Sequence, residues 1–471
     1  MNKRILINIS VVLTCFISII LCIAFNNNAN YNYCCLFPIP FIIIYTTYFM
    51  PCFKKEITPF KLFFCILLYL RYVILPISNC IYGNVSFSKN AGDSDSYLIA
   101  SIITIFELVA VNIFLVLYSV VKSKNNKQKQ LNIIENKNNS NFVIWVFILL
   151  VFGLFIINRS FWNSIYFIAP TESVSVRFNR LSDIGQLIVY LFNIAKQFLF
   201  LIALEKFSKK YSETPEKKFF LIALVFIVFN ILVYTGTNRA EFIITIIATG
   251  LIVFELFPKF KKIILIGGTI LAIIIIPMIS SFRKSNIVGE DLNAKQLSEA
   301  GNSYMSGIDN VALSIETAKT YTNYRNFTNF LYDMTRGIMV VGSLVKNDDN
   351  ILTSRLFNYS FFGPYSTISS QIIPMSGQGY YYFDIYGFYL IEILFVYIAI
   401  KLEKRYFKEK DIKIKYFMLI SILRLAMMQC LNGTILFNRL SYDLLVPIIL
   451  IKLNNKLLIK KEKPVNEKEL N

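Results

Sequence analysis

The sequence predicts an all-α integral membrane protein of about twelve transmembrane helices, and three observations lead to this fold class. Apolar residues make up 55% of the 471-residue chain and charged residues only 16%, whereas charged residues make up about 25% of typical soluble domains. Uninterrupted apolar runs recur from end to end, and many reach the ~20 residues that a helix needs to cross ~30 Å of hydrocarbon. Lys and Arg collect in alternate loops, as they do in the cytoplasmic loops of membrane proteins.

The apolar runs define the predicted helices. Because the runs are continuous and do not alternate with a period of two, they favour helices over a β-barrel. The predicted transmembrane helices cover residues 5–25, 33–50, 62–80, 97–121, 142–157, 184–204, 219–234, 241–257, 263–280, 383–400, 416–431 and 440–451. No small-x-small cleavage site follows the first run, so it is interpreted as an uncleaved helix and not as a signal peptide.

The loop charges place both termini in the cytoplasm. If each helix crosses once from a cytoplasmic N-terminus, the inner segments are residues 1–4, 52–61, 122–140, 205–218, 258–262, 401–415 and 452–471. These segments hold 31 of the 48 Lys and Arg residues, and every one of them is basic. A single missed helix would reverse all later loops, so the pattern favours an even number of crossings.

The predicted organisation has four parts. They are helices one to nine at 1–280 with an outer loop at 158–183, a large external loop at 281–382, helices ten to twelve at 383–453, and a basic cytoplasmic tail at 454–471. The external loop is too long for a simple connector, which is typical of functional loops. Two sets of its residues have helical spacing: Ile308, Val311, Ile315 and Ala318, and then Arg325, Asn329, Asp333 and Arg336. We expect amphipathic helices there, lying on the outer membrane surface.

Composition excludes several functional classes. Histidine is absent, which excludes His-based triads, His metal sites and a catalytic His. The eight cysteines lie in or beside apolar runs without zinc-like spacing, and they predict no disulfide framework. Asp93 and Asp95 have the spacing of a metal-binding pair but lie in a short polar loop. We therefore predict no metal and no other cofactor. The net charge of +19 is explained by the inner loops, and no nucleic-acid partner is predicted.

Lys and Arg are distributed differently across the predicted sides. The inner segments hold 29 Lys but only two Arg, Arg4 and Arg405, while the rest of the chain has six Lys and eleven Arg. A guanidinium binds phosphate or carboxylate with two hydrogen bonds at once. The excess of Arg indicates an anionic ligand on the outer side. The alternative is that Arg is simply better tolerated at the interface.

Five charged residues fall near the middle of predicted helices: Arg71, Glu107, Lys196, Glu392 and Arg424. A charge at the bilayer centre costs ~2.5–3.5 kcal/mol or more, so such residues are usually functional. Two interpretations remain open. The residues either pair with one another and fix helix packing, or they line a water-filled cavity inside the bundle.

Three short motifs suggest a family. Residues 234–242 (YTGTNRAEF) form a predicted external turn that places Arg239 and Glu241 at the start of the eighth helix. Residues 280–285 (SSFRKS) bring Arg283 to the outer end of the ninth helix, and residues 374–380 (PMSGQGY) precede the tenth. Together with the helix number and the two large outer loops, this arrangement resembles the Wzy-type oligosaccharide repeat-unit polymerases of bacterial O-antigen and capsule. The fold would then be similar to GT-C-like membrane glycosyltransferases.

The resemblance implies glycosyl transfer on the outer face, in which a chain on undecaprenyl diphosphate passes to a new lipid-linked repeat unit. The main electrostatic task is to stabilise the leaving lipid diphosphate, and guanidiniums can do so without a metal. The catalytic candidates are Arg239, Arg283 and Glu241, although Glu241 also fits a simple helix-start charge. The substrate-binding candidates are Arg177, Arg180, Arg325, Arg336, Arg355, Arg439, Asp384 and Tyr380. With no His, a base for the acceptor hydroxyl would be a carboxylate such as Glu241 or Asp384.

The resemblance also implies a location and partners. It implies a multi-pass protein of the bacterial plasma (inner) membrane, in contact with membrane lipids, a polyprenyl-diphosphate-linked oligosaccharide, a flippase and a chain-length regulator. Two alternatives stay open. A flippase or other transporter of lipid-linked oligosaccharides would show two related halves and short outer loops. An O-antigen-ligase-like glycosyltransferase usually carries an outer-loop histidine, which this chain lacks.

Overall fold

The computed structural model is almost entirely helical. It describes residues 3–83, 93–124, 141–158, 161, 165–167, 183–234, 239–284, 294–338, 341–345, 349–364, 366 and 371–461. Two short strands, β1 (Tyr166–Phe167) and β2 (Val233–Tyr234), pair antiparallel with Tyr166 opposite Tyr234. The all-α prediction is confirmed for this part of the chain.

The α-helices are numbered in chain order. They are α1 (Lys3–Phe25), α2 (Pro38–Ile44), α3 (Met50–Lys55), α4 (Pro59–Tyr69), α5 (Leu75–Tyr82), α6 (Ser94–Lys124), α7 (Phe142–Ile157), α8 (Asp183–Glu213), α9 (Lys217–Leu232), α10 (Arg239–Leu256), α11 (Lys261–Lys284), α12 (Ala294–Met305), α13 (Ile308–Thr320), α14 (Phe327–Arg336), α15 (Val341–Leu344), α16 (Thr353–Phe362), α17 (Met375–Gly387), α18 (Leu390–Tyr406), α19 (Ile412–Ala426), α20 (Gly433–Leu440) and α21 (Val446–Lys461). Three π-helical segments join neighbouring helices: Tyr45–Phe49, Leu70–Ile74 and Ser441–Leu445.

Several helical segments are long and apolar enough to cross a membrane. Within the described residues there are six: Ile5–Phe25, Ala29–Lys55, Pro59–Tyr82, Ser94–Val121, Ile184–Glu213 and Gly433–Leu457. A seventh is formed if α17 and α18, which bend by 111° at their junction, count as one crossing. These segments make the chain a multi-pass membrane protein by length and composition. The predicted fifth crossing, α7, is apolar but has 16 residues.

The predicted eleventh and twelfth helices have different bounds in the structure. The eleventh, predicted at 416–431, ends as α19 at Ala426, and a 3₁₀ turn follows at Met428–Cys430. The Asn432 side chain accepts a hydrogen bond from the backbone N–H of Ile435 and so caps a new helix. Because this cap starts α20, the last crossing begins at Gly433 and not at 440.

The described contacts divide the chain into two compact units. Unit 1 comprises Met1–Gln130, Asp291–Arg405 and Ile422–Ser441, and unit 2 comprises Leu131–Glu290, Tyr406–Ser421 and Tyr442–Asn471. The helices of the predicted external loop, α12 to α16, therefore pack into the same unit as α1 to α6.

Helix α13 lies in the core of unit 1 and not on a membrane surface. The predicted apolar face is present, since Ile308, Val311, Ile315 and Ala318 are all buried. The polar residue Asp309 is buried as well, because the hydroxyls of Tyr31 and Tyr97 donate hydrogen bonds to its carboxylate at 3.0 and 2.7 Å. Satisfied polar groups allow burial on all sides. The expectation of a surface helix is wrong for α13.

In unit 1, several contacts join two segments that the sequence predicts to lie on the same side of the membrane. On the predicted inner side, Glu403 accepts a hydrogen bond from the backbone N–H of Phe60 at 2.8 Å. On the predicted outer side, Lys319 lies 3.3 Å from the Asp93 carboxylate. The Tyr31 and Tyr97 contacts with Asp309 also join outer segments.

The same grouping holds within unit 2. Lys413 forms an ion pair with Glu205 at 2.6 Å, which joins two predicted inner segments. The rings of Phe220 and Phe260 stack with their centres 3.9 Å apart, which joins the inner segment 258–262 to the inner end of the predicted seventh helix. The β1–β2 pairing joins the predicted outer loop at 158–183 to the last two residues of the predicted seventh helix, at its outer end.

Candidate functional site

The junction of α17 and α18 is the centre of the candidate site. Pro374 is the N-cap of α17, and the chain bends by 111° before α18 continues. Asp384 takes φ 57° and ψ −160° at a kink inside α17, close to the end of that helix. Only glycine adopts this region without strain, and strained residues of other types cluster at ligand sites and switches.

The two glycines of the PMSGQGY motif permit close packing at this junction. A Cβ on Gly379 would lie 2.0 Å from the carbonyl oxygen of Phe388, which follows the bend. A Cβ on Gly377 would lie 2.3 Å from Oγ of Ser314 on α13. The motif predicted to mark the start of the tenth helix is therefore where α17 meets two other segments of the chain.

An ion pair occupies the bend. Nη2 of Arg325 lies 3.1 Å from Oδ2 of Asp384, and Nε of Arg325 donates a hydrogen bond to the Tyr381 carbonyl at 2.7 Å. Oδ1 of Asp384 accepts a hydrogen bond from the N–H of Ile385 at 2.8 Å. The side chain of Asp384 is 48% exposed and that of Arg325 is 25% exposed. Both charges are thus held in place by the backbone and remain open to a ligand.

Aromatic side chains surround this ion pair. Tyr380 is half-buried and lies close to Asp384. Phe330 packs against Tyr382 and Phe383 with ring centres 5.2 and 5.1 Å apart. Flat aromatic faces beside charged groups suit a ligand with both apolar ring faces and anionic groups.

A buried carboxylate next to the bend joins α17 to neighbouring helices through hydrogen bonds. Asp333 on α14 is fully buried, and four donors on three other helices bond its oxygens: Thr353, Gln378, Tyr382 and Thr434. Oε1 of Gln378 in turn accepts the backbone N–H of Gly433 at 2.7 Å. Burial raises the pKa of Asp333, while the hydrogen bonds from Thr353, Gln378 and Thr434 oppose this rise. The network ties α17 to α14, α16 and α20.

Three of the five predicted intramembrane charges come together. Arg71, in the π-helical segment Leu70–Ile74, forms a buried ion pair with Glu107 of α6. Glu392 of α18 lies near both charges and accepts a hydrogen bond from Gln429 at 2.7 Å. For these three residues, the packing interpretation of the sequence agrees with the contacts.

The other two intramembrane charges are placed differently. Arg424 is buried on α19 in unit 1. Lys196 belongs to unit 2, where its ammonium donates hydrogen bonds to the carbonyl oxygens of Asn230 and Val233. These carbonyls lie at the C-terminal end of α9, which is negatively polarised. Glu241, in the first turn of α10, adds an attractive charge.

The structure describes the surroundings of only some of the remaining predicted arginines. Arg336 donates a hydrogen bond to the Gly342 carbonyl at 2.9 Å, and the guanidinium of Arg355 lies 5.5 Å from the ring centre of Tyr359. Arg439 is in the last turn of α20. Arg239 starts α10 and Arg283 lies near the end of α11, but their side chains are outside the described residues, as are Arg177 and Arg180 entirely.

Sequence reasoning missed the central role of Gln378 and Asp333. Two signals point to them in retrospect. Gln378 stands between the two closely packed glycines, and Asn329 and Asp333 are spaced by one helical turn and are both buried. Thr353 and Thr434 carry no such signal, because their partner is distant in the sequence.

Chemically, the site combines a positioned cation, a partly exposed carboxylate and aromatic faces on a broken helix. Such a set of groups can bind an anionic ligand with apolar ring faces and accept a proton from a hydroxyl. The chain matches no family model, no curated protein and no solved structure.

Proposed function

We propose that this protein is a metal-independent polymerase that joins undecaprenyl-diphosphate-linked oligosaccharide repeat units into a surface polysaccharide, on the outer face of the bacterial plasma membrane. The observation that carries the proposal is the Arg325–Asp384 ion pair, which is partly exposed, sits on a strained helix break and borders aromatic rings. The excess of Arg outside the predicted inner segments agrees with an anionic, diphosphate-bearing substrate.

The proposed reaction assigns a task to each group. The acceptor hydroxyl oxygen forms a bond with the anomeric carbon of the donor chain, and the bond from that carbon to the lipid diphosphate breaks. Arg325 stabilises the negative charge on the leaving diphosphate. For Arg239 and Arg283 this role is expected from the family resemblance alone. Asp384 orients the acceptor hydroxyl and takes its proton as the new bond forms. Tyr380 stacks on a sugar ring.

The proposed topology has twelve crossings with both termini in the cytoplasm. The seven crossings counted above become twelve when the helices α7, α9, α10, α11 and α19 are added. Contacts within unit 1 support this arrangement, since Glu403 contacts Phe60 on the predicted inner side and Lys319 contacts Asp93 on the predicted outer side. The Arg325–Asp384 pair then faces the outer water.

The test compares surface polysaccharide, separated by size on a gel, from cells with the gene intact, deleted, or carrying Arg325→Ala or Arg239→Ala. Deletion is expected to leave single repeat units and remove the ladder, and Arg325→Ala is expected to do the same at normal protein level. Arg405→Ala is the matched control, because Arg405 is an exposed arginine on the predicted inner side. A full ladder in Arg325→Ala would contradict the assigned site.

The second candidate function is a flippase for lipid-linked oligosaccharides. The broken pair α17–α18 favours it, because discontinuous helices commonly form the substrate sites of transporters. In this case the deletion would accumulate repeat units on the cytoplasmic leaflet, where externally added enzymes cannot modify them. A polymerase deletion would leave them on the outer leaflet.

A further inference from the structure

The buried cluster of Arg71, Glu107 and Glu392 has more acidic than basic side chains. It contains one cation and two carboxylates, and at most 3% of each residue is exposed. The proposed glycosyl transfer does not use it. Burying a net charge in a membrane bundle is costly, so such clusters are expected to be neutral overall.

The contacts identify Glu107 as the ionised partner. Nη1 of Arg71 and the hydroxyl of Tyr72 both donate hydrogen bonds to the same oxygen of Glu107, Oε1. The Arg71 guanidinium also lies 5.4 Å from the ring centre of Tyr72. Two donors, one of them charged, are the surroundings that favour a carboxylate.

Glu392 has no equivalent partner. Its Oε1 accepts a hydrogen bond from the neutral amide of Gln429 alone, whereas Oε1 of Glu107 accepts from Arg71 and Tyr72. The second oxygen of each glutamate is buried without a hydrogen-bond partner among the described residues. The charges that act on Glu392 are Glu107, which repels its ionised form, and Arg71, which is already paired. The other titratable groups at the cluster are Tyr72 and Cys430, and neither supplies a positive charge.

We propose that this cluster is a proton-binding site inside the membrane, in which the two glutamates share one proton and Glu392 carries it. The proton adds to the Glu392 carboxylate and makes the cluster neutral, with one Arg71–Glu107 ion pair and one carboxylic acid. The acid O–H donates a hydrogen bond to the Gln429 amide oxygen when that amide is turned over, an orientation that heavy atoms do not distinguish. The described residues hold no group of three His, Cys, Asp or Glu that suits a metal ion.

Charge-balanced variants test the proposal. Glu392→Gln is expected to leave the amount of folded protein unchanged, because it mimics the neutral acid. Glu107→Gln is expected to be tolerated, because Glu392 then ionises and pairs with Arg71. The double variant Glu107→Gln/Glu392→Gln leaves the buried cation Arg71 without a carboxylate, and the yield of folded protein is expected to fall about tenfold or more. Adding Arg71→Gln to the double variant restores neutrality and is expected to restore the protein. The readout is monodisperse protein in detergent on size exclusion.

Infrared spectroscopy provides the direct measurement. The purified protein at neutral pH is expected to show the carbonyl-stretch band of a protonated carboxyl, and the difference spectrum against Glu392→Gln isolates the contribution of Glu392. Loss of folded protein in Glu392→Gln, together with no such band, would mean that both glutamates are ionised and would overturn the proposal. Stabilisation of the wild-type protein by sodium would then identify the ion as the bound cation. These readouts do not depend on polysaccharide synthesis.

Discussion

Gly379→Ala is expected to open the bend between α17 and α18. A Cβ at this position would lie 2.0, 2.7 and 2.9 Å from the carbonyl oxygen, carbonyl carbon and Cα of Phe388. All three contacts are below 3.0 Å, a distance that real Cβ atoms essentially never show. Because the three atoms belong to the backbone, no rotamer change relieves the overlap. Overpacking usually costs ~1–3 kcal/mol, and we expect a loss near 3 kcal/mol here.

Thermal unfolding of the purified protein in detergent measures this loss. Gly153→Ala in α7 is the matched control, because a Cβ there has no heavy atom within 4 Å. Within a helix this change is expected to be neutral or to stabilise the protein by ~0.5–1 kcal/mol. Gly379→Ala is also expected to reduce polysaccharide length, since the bend positions Asp384. If the two variants melt at the same temperature, the close approach of Gly379 to Phe388 is incorrect.

Three further predictions concern Asp333, Asp384 and Asp93. Asp333→Ala removes the acceptor of two buried donors, Thr353 and Gln378, and is expected to cost about 3 kcal/mol or more. Asp333→Asn keeps one acceptor oxygen and should cost about 1 kcal/mol, as thermal unfolding would show. Asp384→Gly is expected to raise thermal stability, because the relief of ~1–3 kcal/mol of backbone strain exceeds the ~0–1 kcal/mol contributed by an exposed ion pair. The same variant is expected to shorten the polysaccharide on a gel, and an unchanged length would argue against a role of Asp384 in the reaction. Hydrogen bonds from Ser96, and to a lesser extent from Lys319, lower the pKa of Asp93 to about 2. The small stabilisation that Asp93 contributes is therefore present above its unfolded-state pKa of ~3.9 and is lost as the pH falls towards 2. Asp93→Asn should remove this acid sensitivity from the unfolding curve.

Local patterns in the sequence were sufficient for most helices. Four apolar residues at helical spacing, Ile308, Val311, Ile315 and Ala318, predicted α13 correctly as a helix. The same pattern gave the wrong surroundings, because spacing shows which residues share a face but not what covers the opposite face. The partners that bury Asp309 come from Tyr31 and Tyr97, more than two hundred residues earlier in the chain.

The candidate site was predictable only in part. Arg325, Asp384 and Tyr380 were each predicted to bind substrate, but the sequence did not indicate that Arg325 pairs with Asp384, 59 residues away. It also did not distinguish the charged residues that pair from those that stay apart. The structure joins Arg71 to Glu107 and gives Lys196 backbone carbonyls as partners.

The sequence by itself determined the all-α membrane class and the approximate positions of the apolar helices, and it predicted which basic segments face the cytoplasm. These properties depend on the length of each apolar run and on the local composition, which decide whether a helix can cross the bilayer and on which side its flanking loops lie. Only the tertiary structure decided that α17 bends at Asp384 and that Gln378 and Asp333 support the bend. It also decided that Glu392 forms no ion pair with any residue that the structure describes. Hydrogen bonds and ion pairs act over a few ångströms, so they depend on which distant segments the fold brings into contact.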